Sequence, residues 1–365
     1  MTYKYRGTQP AGLNGGGGAS ASYWVVGFGA GPGDVGYAAN GDRTSWTMYD
    51  RVSGNANAYD AAYGKDGSGN GIYVFGNGSS SGELSVSSDD ITDGSLWTAI
   101  NLPGNLTANR MNAVAWGNDS TNSTSGVWLA GSSQGKLYRS TNGAASFSSV
   151  SFPSATAGPI FSIAGNGAGK FLFGQTGGGS DNGRMFISTD DGASFSLSQP
   201  FTFGDLNGVA YTNSTWIVTY NRSGQSNLLM RTAADSDLTT WSAEVDLGIA
   251  KPAEADGNAD PIHRANIAAA NGRAVITSNK IAAIAIVDVN GTSTSNLANP
   301  TYSGALIRDI TTDGNTWMIV TNGGDIYEST DNGATFSQTV DDIFTGTGNS
   351  GTGIHAVAAS LHLPL

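Results

Sequence analysis

Acidic side chains at recurring positions are the groups of this sequence that could best do chemistry. A seven-residue apolar motif recurs along the chain, and Asp60 and Asp309 occupy nearby positions in it, close to where Asn112 and Asn207 fall. Two carboxyl groups held about 5–9.5 Å apart are what glycoside hydrolysis requires. The competing interpretation is that these side chains accept hydrogen bonds from the backbone or are simply hydrated. We expect this second arrangement.

Other reactive residue types are scarce. The three histidines, His263, His355 and His362, are few for a metal site, and we expect His355 to have a hydrogen-bonded structural role. The chain has no cysteine, which excludes disulfides, thiolate metal sites and cysteine nucleophiles. The sequence therefore predicts a protein that is not an enzyme, with no catalytic residue, no metal and no cofactor.

The composition favours strands and turns over helices. Of the 365 residues, 53 are Gly and 25 are Asp, whereas only four are Glu and six are Lys, the types that cover exposed helix faces. The 17 basic and 29 acidic residues give a net charge of -12, which argues against a nucleic-acid partner. No apolar run approaches the ~20 residues of a membrane span. The first residues also lack the apolar core of a secretory signal, so we expect neither membrane insertion nor secretion.

The recurring motif has the period of a propeller blade. It joins a Val, Ile or Ala to a following small residue, and its copies are centred on residues 61, 114, 163, 209, 267, 310 and 357. Most copies are followed by three further strand-like segments, for example Val127–Gly131 as a second strand and Thr240–Glu244 as a fourth. A four-stranded blade takes ~40–50 residues. The sequence therefore predicts an all-β protein, a β-propeller.

The two ends of the chain each carry part of one blade. The last motif, Ile354–Ser360, has no second strand after it, whereas Tyr23–Gly27 near the start is a second strand without a first. Pairing the C-terminal strand with the N-terminal blade would give seven blades and remove an open sheet edge. The alternative is six blades with a C-terminal extension. We predict a single seven-bladed propeller over 21–365.

A turn motif recurs between the third and fourth strands. The segments Ser188–Phe195 and Ser329–Phe336 share a Ser, an Asp, a Gly and a closing Phe, and Ser140–Phe147 is a looser copy with Asn142 in place of the Asp. We call these three segments box turns. The Asp side chain is expected to cap backbone amides of its own turn, the Gly to take a positive φ, and the Phe to anchor the turn in its blade. The predicted structural residues are Ser188, Asp190, Gly192, Phe195, Ser329, Asp331, Gly333 and Phe336.

The box turns resemble the Asp-box (BNR) repeat of the sialidase-like propellers. The resemblance covers the chain from about residue 23 to its end and implies the fold more than the function, because Asp boxes lie away from the binding face. Sialidase chemistry would also require an arginine triad, a Tyr nucleophile with a Glu partner, and an Asp acid/base. The family's N-terminal Arg-Ile-Pro segment is absent here, and Glu328 lies in a predicted third strand next to a box turn, which is the wrong place.

Residues 1–20 lie outside the repeat and form a predicted docking arm. A Gly tract tethers a tip that contains Tyr3, Lys4, Tyr5 and Arg6. Aromatic residues and arginine are typical anchors of protein interfaces. We therefore expect the arm to dock the propeller onto another chain, and the alternative is that it packs on its own propeller.

The composition and architecture are similar to those of propeller-bearing structural proteins of tailed phages, including marine and cyanobacterial ones. This resemblance implies a virion location, as a tail, fibre or decoration protein in a multi-copy assembly, with host surface glycans as a further partner in host attachment. One alternative is a glycan-binding or glycoside-hydrolysing sialidase-like propeller. A second alternative is an assembly chaperone similar to the photosystem II assembly factor propellers, and a cytoplasmic location is the alternative to the virion.

Overall fold

The fold follows from short apolar strands separated by Gly, Asn and Asp turns. The computed structural model describes residues 23–28, 35–49, 57–78, 83–88, 91–92, 94–104, 110–121, 124–153, 158–177, 181–198, 200–252, 265–278, 283–289, 294–297, 306–344 and 353–360. Within these ranges the chain forms 28 β-strands and one short 3-10 turn, Gly94–Leu96. The strands make seven antiparallel sheets of four strands each, which are the blades of a seven-bladed β-propeller. None of the described residues belongs to a helix with the length and apolarity needed to cross a membrane.

Each blade runs from an innermost strand at the axis to an outermost strand at the rim, and strands are numbered in chain order. The innermost strands are β4 (Ala58–Lys65), β8 (Met111–Gly117), β12 (Ile160–Gly165), β16 (Leu206–Thr212), β20 (Ala265–Ala270), β24 (Ile307–Thr312) and β28 (Ile354–Ala359). The second strands are β1 (Tyr23–Phe28), β5 (Gly71–Asn77), β9 (Val127–Ser132), β13 (Phe171–Gln175), β17 (Thr215–Tyr220), β21 (Arg273–Ser278) and β25 (Trp317–Thr321). Each innermost strand contacts the innermost strands of both neighbouring blades, so the seven strands close a ring.

The third and fourth strands complete the blades outward. The third strands are β2 (Val35–Ala39), β6 (Glu83–Val86), β10 (Leu137–Ser140), β14 (Arg184–Ser188), β18 (Asn227–Ala234), β22 (Ala283–Asp288) and β26 (Ile326–Ser329). The outermost strands are β3 (Asp42–Tyr49), β7 (Thr98–Asn101), β11 (Ser148–Val150), β15 (Ser196–Ser198), β19 (Val245–Ala250), β23 (Thr294–Leu297) and β27 (Ser337–Val340). Blade 1 is β28-β1-β2-β3, and blades 2 to 7 follow in chain order from β4 to β27.

Ring closure through both ends of the chain is confirmed. The C-terminal β28 pairs antiparallel with β1, with Val357 opposite Val26, so the six-bladed alternative is wrong. The Tyr23 backbone N–H donates to Ser360 Oγ at 2.7 Å, which extends the pairing beyond the strand end. Because the closing strand is the innermost one of its blade, its loss would open the ring at the axis and not merely at the rim.

One predicted strand is wrong. The sequence placed the fourth strand of blade 5 at Thr240–Glu244, whereas the structure begins that strand at Val245. The preceding residues form a turn, in which Asp237 Oδ1 accepts hydrogen bonds from the Thr239 N–H at 2.9 Å and the Thr239 hydroxyl at 2.6 Å. These local bonds compete with the strand ladder and displace it toward the C-terminus.

The core lies between neighbouring blades. Large rings fill it, and five tryptophans are fully buried: Trp24, Trp116, Trp128, Trp216 and Trp317. Gly64 in blade 2 lies against the rings of Trp116 and Trp128 in blade 3, where a Cβ atom would collide with both of them. Small residues in one blade thus leave room for the aromatic rings of the next.

Candidate functional site

The two full box turns use their Ser and Asp side chains in the same way. In blade 4, Asp190 Oδ1 accepts hydrogen bonds from the Ser188 hydroxyl at 2.8 Å and the Ser194 N–H at 2.9 Å. In blade 7, Asp331 Oδ1 accepts the corresponding bonds from the Ser329 hydroxyl at 2.6 Å and the Thr335 N–H at 2.9 Å. Burial raises the pKa of Asp331, but the hydrogen bonds from Ser329 and Thr335 outweigh it and lower the pKa to about 2.

The closing aromatic residues and the glycines of these turns face the blades. Phe195 is buried, and Phe336 is half-buried against the core between blades 6 and 7. Gly192 and Gly333 have φ values of 72° and 77°, which a side chain would strain.

The third box turn keeps the geometry with different residues. Asn142 Oδ1 accepts hydrogen bonds from the Ser140 hydroxyl at 2.8 Å and the Ser146 N–H at 3.1 Å. Its glycine lies one position early, so Ala144 takes the second left-handed position, with a φ of 64°. The turn therefore depends on an oxygen acceptor and not on a negative charge.

The box turns also join neighbouring blades. Arg139 of blade 3 donates from Nε to the Asp191 carbonyl of blade 4 at 2.8 Å, and Asp191 Oδ1 accepts from the Ser120 N–H of the blade 3 side at 2.6 Å. Arg273 of blade 6 donates to the Asn332 carbonyl of blade 7 at 3.0 Å. These groups are occupied in holding the ring together, which makes this face structural.

The opposite face carries a repeated irregularity that the sequence did not predict. In blade 4 the innermost and third strands both start at the same edge of the blade, on either side of the end of the second strand. The box turn follows the end of the third strand. The irregularity at the start of the innermost strand and the box turn therefore lie on opposite faces of the propeller. We call them the bulge face and the box face. Six of the seven innermost strands contain a one-residue bulge near their start, the exception being β20. The extra residues are Tyr59, Asn112, Asn207, Arg308, His355 and one of Phe161 and Ser162.

The inner-strand carboxylates are tied to backbone amides of the next blade. Asp60 Oδ2 accepts a hydrogen bond from the Val114 N–H at 2.7 Å, and Asp309 Oδ2 accepts one from the Val357 N–H at 3.1 Å. Both aspartates are at most 1% exposed. Such side chains are shielded from any substrate and are used as acceptors between blades.

Three residues from three consecutive blades meet at the axial end of the bulge face. The Arg110 guanidinium carbon lies 5.4 Å from the centre of the Tyr59 ring, and the His355 ring centre lies 6.3 Å from the same ring. Arg110 and His355 are partly exposed, while Tyr59 is 7% exposed. We call these residues the mouth cluster. The sequence singled out His355 alone, as a structural residue.

A second polar cluster lies where the second and third strands of blade 5 meet the bulge face. The Tyr220 hydroxyl donates to Glu244 Oε2 at 2.9 Å, and Arg222 donates to the same oxygen at 2.9 Å. Arg231 Nε donates to the Tyr220 hydroxyl at 3.0 Å. Burial, followed by the hydrogen bond to Glu244, raises the pKa of Tyr220 to about 12. A nucleophilic phenol needs the opposite shift.

The predicted docking residues Tyr3, Lys4, Tyr5 and Arg6 lie outside the described residues. Within the described ranges, no group of three or more His, Asp or Glu side chains is arranged to hold a metal ion.

Comparisons with known proteins show the fold alone. No family model matches the chain, and no curated protein matches it. Among solved structures, it is similar to YCF48 bound to D1 peptide (15% identity, TM-score 0.52), covering 79% of this chain and 82% of that one. It is also similar to YCF48 from Cyanidioschyzon merolae (14% identity, TM-score 0.51), covering 78% of this chain and 84% of that one. A third is the WD40 β-propeller domain of Doa1 (10% identity, TM-score 0.50), covering 78% and 81%.

Proposed function

We propose that this chain is a non-enzymatic docking propeller, a structural or adhesion component of a larger assembly. The observation that carries the proposal is the use of Asp60 and Asp309, buried and bonded to the Val114 and Val357 amides of neighbouring blades. An acid/base pair must reach its substrate, and these carboxylates do not. The assembly favoured by the composition is the virion of a tailed phage, in which the chain would be a tail, fibre or decoration protein.

The blade 5 cluster supports the same proposal. It contains a Tyr–Glu pair of the kind that sialidase chemistry uses, yet the Tyr220 ring is fully buried and its pKa is raised to about 12. The Glu244 carboxylate is shared with Arg222, an ion pair of 2.9 Å. These contacts suit a structural network. The resemblance of the box turns to sialidase-like propellers then reflects shared architecture without shared catalysis.

The arm is the proposed docking element. Tyr3, Tyr5 and Arg6 are residue types that anchor interfaces, and Lys4 adds positive charge to an otherwise acidic chain. The propeller would project from the assembly, where host surface glycans are a further proposed contact for its exposed faces.

The proposal is tested by incorporation into particles. Particles purified from the source should contain the chain as a stoichiometric component by mass spectrometry. A variant with Tyr3→Ala, Tyr5→Ala and Arg6→Ala should be absent from the particles while its isolated propeller stays folded. A variant with Lys65→Gln, a change on the box face, is the control and should be incorporated normally. Absence of the wild-type chain from particles would refute the virion role, and normal incorporation of the arm variant would refute docking through the arm.

A second candidate function is an assembly factor that binds a polypeptide. It is favoured by the likeness to YCF48, one structure of which is bound to a D1 peptide. The two candidate functions differ in whether the chain remains in the finished particle. A virion component stays there, whereas an assembly factor leaves. The same mass spectrometry separates them, since an assembly factor would appear only in intermediates.

A further inference from the structure

The mouth cluster is built by the bulges on the bulge face. Tyr59 and His355 are the extra residues of the bulges in β4 and β28, and Arg110 directly precedes β8. A bulge turns its extra residue out of the regular pleat and is often found beside a functional site. Two bulges and one strand start therefore place the Arg110 guanidinium carbon and the His355 ring centre, from the two flanking blades, within 6.3 Å of the Tyr59 ring centre.

The cluster gathers basic groups on an acidic protein. The chain has a net charge of -12, yet Arg110 and His355 both lie within 6.3 Å of the Tyr59 ring centre. The Arg110 guanidinium over the Tyr59 ring makes a cation–π contact, and the guanidinium group carries its N–H donors in a planar fork. That planar fork matches the two oxygens of a carboxylate.

The burial of the ring distinguishes between carboxylate ligands. A sugar is held mainly by stacking on an exposed aromatic face, but Tyr59 is only 7% exposed and its ring is in contact with Arg110. Recognition would then depend on charge and hydrogen bonds. The bulge residues continue around the axis, where Arg308 and Phe161 are also partly exposed.

We infer that the mouth cluster binds an acidic polypeptide segment, through Arg110 and His355 on either side of the Tyr59 blade. This inference rests on the proposed docking function and names the chemistry of the partner. The Arg110 guanidinium would donate to both oxygens of one carboxylate, and the His355 imidazole, two blades away from Arg110, would donate an N–H to another acceptor of the same segment.

The test uses the full chain and two peptides in ligand-detected NMR titrations. One amidated peptide is Gly-Ser-Glu-Glu-Ser-Gly, and the other has Gln-Gln in place of Glu-Glu. The wild-type chain should bind the acidic peptide roughly tenfold more tightly, the order expected for one charge-assisted bidentate contact. Arg110→Gln and His355→Gln should each weaken this preference, and Arg110→Lys should restore only part of it because lysine lacks the fork.

Lys65→Gln is the matched control, because it removes the same charge from the box-face end of β4. It should leave the preference within about twofold, because Lys65 is a partly exposed charge at the opposite end of β4 and is screened by salt. An equal effect of Lys65→Gln and Arg110→Gln would overturn the inference, as would equal binding of the two peptides. Tighter binding of an oligouronate than of the acidic peptide would assign the site to glycans instead. If Arg110→Gln fails to fold, the partly exposed His355→Gln carries the test.

These outcomes are separable from those for the proposed function. A chain that enters particles through its arm but shows no peptide preference keeps the docking function and loses this site. A chain that neither enters particles nor binds the peptide loses both.

Discussion

Replacement of Asp309 tests whether the inner-strand carboxylates tie blades together. Asp309 is fully buried, and its two oxygens have different partners: Oδ1 accepts from the Ile310 N–H at 2.9 Å, and Oδ2 accepts from the Val357 N–H at 3.1 Å. The second bond crosses from blade 7 to the closing strand of blade 1. The carboxylate is therefore a link at the ring closure.

The magnitude follows from the number of donors left without a partner. A hydrogen bond to a charged group contributes about 1.5–3 kcal/mol, so Asp309→Ala should lower the free energy of unfolding by about 3–6 kcal/mol. Asp309→Asn retains one oxygen but turns an NH2 group toward the other amide, and should cost about 2–4 kcal/mol. Ser162 is the matched reference, since its hydroxyl accepts the corresponding bond from the Val209 N–H at 3.0 Å. Ser162→Ala should cost about 0.5–1.5 kcal/mol, as a neutral bond.

The assay is urea denaturation followed by tryptophan fluorescence, together with hydrogen exchange of the peptide covering 353–360. Asp309→Ala should speed exchange in that peptide more than elsewhere, because its loss frees the closing strand. If Asp309→Ala costs no more than Ser162→Ala, the reasoning is wrong. If instead the variant stays stable while a glycosidase activity disappears, the carboxylate is catalytic.

Three further predictions concern the box turns. Gly333→Ala should destabilise the protein by about 1–3 kcal/mol more than Gly314→Ala. A Cβ at position 333 would lie 2.7 Å from a Val275 methyl, whereas Gly314, also at positive φ, has open space around it. Equal losses of stability in thermal denaturation would contradict this packing. Asn142→Asp should change the free energy of unfolding by less than about 0.5 kcal/mol, and Asn142→Ala should lower it by about 1 kcal/mol. The reason is that the turn needs a side-chain oxygen acceptor at this position. A large effect of Asn142→Asp in urea titrations would show that charge matters. The pKa of Asp331 is lowered to about 2 when folded, so its stabilisation is present above about pH 4 and is lost as the pH falls through about 2. Solvent screening limits this contribution to about 1 kcal/mol, and acid titrations in which Asp331→Asn retains the full pH dependence would refute it.

The blade architecture was predictable because it depends on local patterns. Apolar segments such as Val127–Gly131 recur at the blade period, and Tyr23–Gly27 lacks a first strand where Ile354–Ser360 lacks a second. Pairing these two segments in one blade completes both and leaves no open sheet edge in the ring. The structure confirms seven blades closed in that way.

The bulge face was not predictable because it depends on register. The sequence grouped Asn112 and Asn207 with Asp60 and Asp309, yet the pairing makes the two asparagines bulge residues. The aspartates lie one position later in the motif and reach the next blade. An extra residue in a strand leaves no mark in composition or apolar period.

The clusters between distant residues were equally hidden. Tyr59 meets Arg110 across 51 positions of sequence and His355 across almost the whole chain. Glu244 reaches Tyr220 because the fourth strand of blade 5 starts at Val245 and not at Thr240. Contacts of this kind follow only from the assembled ring.

Cross-linking of native particles is the most direct test of the docking function. Lys4 lies in the proposed arm and carries a primary amine suited to a short amine-reactive reagent. We predict that mass spectrometry finds Lys4 joined to a lysine of a different particle protein, with Lys65 on the box face free of such links. Cross-links from Lys4 only to lysines of its own propeller would contradict docking through the arm.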